Sequence, residues 1–154
     1  MITSDDIKES VIMKLLEIEP NIAVYKEATT KPVFPHFFVN QLTVSDSEER
    51  KNYHLLTYSI IIRYRVASDI STDLKLQQDL DEMCLKLLSN FNIITFNDSS
   101  VRCYDKMTEK VDGVLHFSFK IDLYAKYKDN QERIKMNNLI SGIGVKKWFM
   151  FQNQ

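Results

Sequence analysis

Few residues of this sequence are of types that could carry chemistry: His36, His54 and His116, Cys84 and Cys103, and a carboxylate cluster of Asp105, Glu109 and Asp112. A metal centre needs ligands that a helix turn or a hairpin brings together. No two of the histidines stand at a helical ligand spacing. Each falls in a stretch that reads as a strand, where a solvent-facing or hydrogen-bonded imidazole is the plain reading. The cysteines form no CxxC, so zinc and redox chemistry have no support, and both read as buried free thiols kept reduced. General acid–base work would need a carboxylate with a shifted pKa. Here the cluster is interleaved with Lys106 and Lys110, the composition of an exposed charged turn, and Asp79, Asp81 and Glu82 read as the solvated face of a helix. The chain contains no HExxH, GxSxG, GxGxxG or Walker-type loop. No catalytic residue, metal or cofactor is therefore expected, and the sequence does not read as an enzyme.

Two other groups could bind rather than react. Arg63 and Arg65 lie close to Tyr53 and Tyr64, and basic residues interleaved with aromatics on a sheet are how single-strand binders stack bases. Alternation, however, puts Tyr64 on the face opposite the arginines, and the formal net charge of −1 gives no bulk attraction to phosphate. Near the other end, Trp148, Phe149 and Phe151 would be an aggregation hazard if left bare. They either fold back on the chain's own core or dock on a neighbouring subunit.

The elements that must position these residues are legible from periodicity. Ile7, Val11, Leu15 and Ile18 recur at helical spacing after Ser4, a candidate N-cap, with Asp5 and Asp6 in the first turn and Pro20 as the stop. IAVYKE (22–27) reads as an edge strand, ATTKPVFP as an approach segment, HFFVNQLTVS (36–45) as a strand and DSEERKN as a charged connection in a long hairpin. NYHLLTYSIIIRYRV (52–66) alternates apolar and polar residues. Leu76, Leu80, Met83, Cys84, Leu87 and Leu88 form one helical stripe that ends near Ser89–Asn90. NIITF and SVRCYDKMTEKV then lead to a turn at Asp112–Gly113 and to VDGVLHFSFKIDLYAKY, whose strict alternation marks a strand with one buried face. At about 3.3 Å per residue that run would reach roughly 50 Å, long for so small a protein.

These elements give an α+β domain of order α-β-β-β-α-β-β: a mainly antiparallel sheet with long strands, two helices packed on one face, and a C-terminal tail. The chain of 154 residues suits one domain, 1–128, with an extension at 129–154. Its 44% apolar and 27% charged residues are ordinary for a soluble protein. MITSDDIKES is acidic and lacks the long apolar stretch of a signal peptide, and no window approaches a transmembrane helix. A cytosol-like environment without membrane contact is expected.

Taken together, IKESVIMKLLE, AVYKE followed by PHFFVNQLTVS, YHLLTYSIIIRYRV, LQQDLDEMCLKLL and VRCYDKMTEKVDGVLHFSFKIDLY resemble the tail terminator proteins of tailed phages. The likeness is to the small family of contractile-tailed phages and phage-like particles of Gram-positive bacteria in particular. Val111 to Phe117 is the most recognisable piece, whereas the WFMF tail has no counterpart in the pattern. The resemblance implies a virion protein made in the bacterial host cytoplasm and placed at the head-proximal end of the tail. There a homo-hexameric ring would stop tube polymerisation, cap the tail tube and sheath proteins, and offer a surface to neck and connector proteins. DNA would pass through the channel without specific binding. On this reading Trp148, Phe149, Phe151, Arg63, Arg65, Asp105 and Lys106 are candidate interface residues. The alternatives are another neck ring, such as a connector or completion protein, or a single-stranded nucleic-acid-binding module.

Overall fold

The computed structural model describes residues 2–27, 29–66, 74–96 and 99–126. Helix α1, Ser4–Ile18, starts one residue earlier than the cap reading expected: Thr3, not Ser4, is the N-cap. Thr3 Oγ1 accepts from the Asp6 amide at 3.2 Å and Asp6 Oδ2 accepts from the Thr3 amide at 2.8 Å, a reciprocal capping box that satisfies two otherwise orphaned donors. Ile7, Val11 and Leu15 are fully buried, as their spacing requires. The helix gives out ahead of Pro20, which can neither donate an amide nor let its predecessor stay helical.

Strand β1, Ala23–Tyr25, is short and pairs in parallel with the start of β2, His36–Arg50: Ala23 lies opposite His36 and Tyr25 opposite Phe38. DSEER, expected as connection, is strand. The turn to β3, Tyr53–Arg65, is Lys51–Asn52 alone, with Asn52 at φ 66°. A two-residue hairpin turn requires positive φ, which asparagine tolerates, and charged residues are well suited to an exposed outer strand. The hairpin itself is as the sequence implied.

Helix α2, Leu74–Asn90, buries Leu76, Leu80, Met83 and Leu87, with Cys84 and Leu88 half-buried beside them. The region after it is more finely divided than its strand pattern suggested. Strands β4, Ile93–Phe96, and β5, Ser99–Arg102, form their own antiparallel pair, and β4 lies against α1 through the side on which Ile94 and Phe96 are buried. Strands β6, Tyr104–Val111, and β7, Val114–Lys126, follow. Their turn, Asp112–Gly113, has φ of 51° and 75°, the two positive values a type I′ hairpin needs.

The main sheet runs β1-β2-β3-β7-β6. β3 and β7 are antiparallel. Thr57 bonds Asp122 and Arg63 lies near His116, so an advance along one strand is a retreat along the other. Even positions of β3 and odd positions of β7 are buried: Leu56, Tyr58, Ile60, Ile62 and Tyr64 against Leu115, Phe117, Phe119, Ile121 and Leu123. Both helices cover that face. The Tyr64 hydroxyl feels Asp79 of α2 and Glu19 at the end of α1, while Cys84 of α2 bonds Thr108 of β6. Phe91, Phe117 and Phe119 form an aromatic cluster under α2, with ring centres 5.4 to 5.6 Å apart.

The chain divides into two compact units, Met1–Asp46 with Leu56–Leu123, and Ser47–Leu55 with Tyr124–Gln154. The first holds the helices and the core described above. The second, in its described part, is the hairpin tip and the end of β7. Within it Arg50 and Lys126 lie 4.6 and 5.3 Å from the centre of the Tyr53 ring, and His54 faces Glu48 at 3.5 Å.

On the helix-free face a single carboxylate ties three strands. Asp122 Oδ1 of β7 accepts from Thr57 Oγ1 of β3 at 2.8 Å and from Tyr104 Oη of β6 at 2.7 Å. Hydrogen bonds to a charged acceptor are worth more than neutral ones, and removing the acceptor strands both donors. Asp122→Ala should lower stability by about 1–3 kcal/mol and Tyr104→Phe by about 1 kcal/mol in urea unfolding. Equal, negligible effects of both would show that the bonds do not hold the strands.

Candidate assembly surface

The two outer strands of the sheet are unlike, and both have bare edges among the described residues. β1 covers β2 only from His36 to Phe38, so from Val39 to Arg50 the outward backbone groups of β2 face no described strand. Leu42 and Val44 on this stretch are 49% and 44% exposed, and Asp46, Glu48 and Glu49 follow them. Gln41, just before, holds a buried Oε1 that has no donor. At the opposite side β6 is the terminal strand, broken by a bulge between Tyr104 and Met107 where Asp105 adopts φ 51°.

The sequence-predicted residues fall into three places. Arg63 and Arg65 sit together on the helix-free face, their guanidinium groups 6.0 and 5.7 Å from the Phe38 and Phe34 ring centres. Tyr64 is on the other face, buried against Phe37 at 5.0 Å, as alternation required. Asp105 and Lys106 are neighbours with divergent contacts. Asp105 faces Lys120 at 3.6 Å, whereas Lys106 turns toward α2, donating to the Leu88 carbonyl at 3.0 Å and to Asn92 Oδ1 at 2.8 Å. Lys106 is thus consumed within the domain. Trp148, Phe149 and Phe151 lie outside the described residues.

The histidines have structural partners. His36 is buried, its Nδ1 3.0 Å from the Val33 carbonyl and its ring against Tyr25 and Phe34. Burial holds its pKa below the ordinary value, as burial and then Arg63 do for His116. His116, Ser118 and Glu109 line one shallow depression of about 290 Å³ with Ile61, Met107 and Val111. Among the described residues no three histidines, cysteines or carboxylates are placed to hold a metal ion, and no helix is long and apolar enough to cross a membrane.

Exposed Leu42, Val44, Met107 and Val111 escaped the sequence reading as surface residues. Within their strands they look like ordinary apolar positions, and only the early end of β1 and the terminal place of β6 uncover them.

No curated protein matches the chain. One solved chain of no stated function aligns over 84% of this chain and 99% of its own at 11% identity, with a TM-score of 0.38, a likeness that carries no argument. A family model described as "Phage tail terminator protein" matches residues 6–134, which take in α1 from Asp6 onward, all of α2 and every described strand. The chain belongs to the phage tail terminator family.

Proposed function

We propose that the protein closes as a homo-hexameric ring on the head-proximal end of a contractile tail. There it stops growth of the tube, caps the last sheath ring and gives neck proteins a surface to dock on. DNA passes through the ring without being gripped. The family makes the protein a structural component of the phage tail. The observation that carries the finer reading is the pair of unlike edges, β2 beyond Phe38 and β6, that face no further described strand at the two ends of one sheet. A contact between different patches repeats head to tail, and it closes into a ring when the rotation allows. Exposed edges otherwise invite uncontrolled pairing, and ring closure consumes them. The near-neutral formal charge of −1 suits a channel that must release its cargo.

The test is tube length. Particles assembled without this chain should carry tubes of unregulated length, and a reconstruction of intact particles should place six copies at the head-proximal end. Tubes of normal length without the chain, or its density elsewhere on the particle, would overturn the reading.

A further inference from the structure

The stretch of β2 that faces no described strand has a pattern that selects its partner. Apolar residues come first, Leu42 and Val44, and acids follow, Asp46, Glu48 and Glu49. A strand pairing there antiparallel must carry bases first and apolar residues after. Residues 145–151, VKKWFMF, have that order: Lys146 and Lys147, then Trp148, Phe149, Met150 and Phe151.

We propose that Lys146–Phe151 of one copy adds as an antiparallel strand to the open β2 edge, Leu42–Asp46, of the next copy. A single register then sets Phe151 beside Leu42, Phe149 beside Val44 and Lys147 beside Asp46. Cross-strand apolar and opposite-charge pairs of this kind are the units of sheet stabilisation, and backbone ladder bonds supply the rest. The same register puts Gln152 beside Gln41, whose buried Oε1 lacks a donor. The Gln152 amide has N–H groups to give.

Other occupants fit less well. Pairing β2 with itself about its acidic stretch sets acid against acid, and pairing about Val44 sets Asp46 against Leu42. Strand β6 offers no spare bases, since Lys106 is bound to Leu88 and Asn92 and Lys110 to Asp81. The edge ladder of β6 is also broken at its bulge. The inference deepens the ring reading, because an arm given to one neighbour and received from the other is a contact between unlike patches.

The experiment mixes two full-length, differently tagged variants, Val44→Cys and Phe149→Cys, and oxidises them mildly. Mass spectrometry should find a 44–149 disulfide between tags, about tenfold more abundant than the 44–150 disulfide from Met150→Cys, because a one-residue slip turns the side chain to the other face. Cys84 and Cys103 are present in every arm, and each variant alone gives their background. A 44–149 link that forms within a separate doubly substituted chain but not between the tagged single variants, equal 44–149 and 44–150 yields, or no link at all would each overturn the arm. Mass and negative-stain images of the same samples read the ring separately. Rings without the link sink the arm alone, and linked copies that form no ring sink the ring alone.

Discussion

Phe117→Ala should remove about 3–5 kcal/mol of stability, a large share of what a domain of this size has. Phe117 is fully buried and shares its environment with two other aromatic side chains of zero or near-zero exposure, Phe91 and Phe119. Its ring centre is 5.5 Å from Phe91 and 5.6 Å from Phe119, so truncation empties one corner of a three-ring cluster whose remaining members are held by different elements. Phe91 follows α2 and is anchored by its amide to the Leu87 carbonyl at 3.0 Å, whereas Phe119 is fixed in the β7 ladder. Neither can collapse into the space without moving its backbone, which puts the cost toward the high end for such deletions. Phe117→Leu keeps most of the volume and should cost about 1–2 kcal/mol. Urea unfolding gives both values. A loss under 1 kcal/mol for the alanine variant would show that the cluster repacks, and that the helix α2 contact is softer than its geometry says.

The same cluster shows why much of this fold could be read from the sequence. Phe117 and Phe119 sit in a run of unbroken alternation, so a period of two alone assigns them to one face and His116 and Ser118 to the other. The helical stripes Ile7–Val11–Leu15 and Leu76–Leu80–Met83–Leu87 are equally local signals, and Asp112–Gly113 states its own turn type through residues that accept positive φ. Arg63, Tyr64 and Arg65 sorted to opposite faces for the same reason.

What escaped was settled by partners distant in sequence. DSEER has a composition that propensity assigns to a loop, yet it is strand because β3 continues alongside it and its charges meet solvent. Nothing near Leu42 or Val44 says that β1 ends at Tyr25 and leaves them facing no described strand. Lys106 looked like a surface charge. It is spent on the end of α2, a contact made only when the bulge at Asp105 shifts the strand's facing. The candidate assembly surface is thus defined by where pairing stops, and pairing is a property of the sheet rather than of any one segment.

Stability should fall steeply on the alkaline side, beginning near pH 9, where unfolded cysteine starts to lose its proton. Burial pushes the Cys103 thiol from 9.0 up to about 11, with Lys106 and Lys14 only partly opposing the shift. A raised folded-state value means that the folded chain keeps a proton the unfolded chain releases. The contribution is whole below pH 9 and is lost as pH climbs toward 11. Two units correspond to about 2–3 kcal/mol. Tyr58 and Tyr64 are raised too, mainly by burial, and Tyr104 mainly by its bond to Asp122, so above pH 10 their ionisation adds to the loss. Between pH 9 and 10 the thiol acts nearly alone, which makes Cys103→Ala informative despite its own packing cost. At pH 7 the variant should be the less stable of the two, by about 1 kcal/mol for the buried atom removed. As pH rises the wild-type midpoint in urea should drop toward the variant's, and the two should meet or cross before pH 11. Parallel curves across that interval would mean that the thiolate is tolerated in place and that the core around Cys103 admits water.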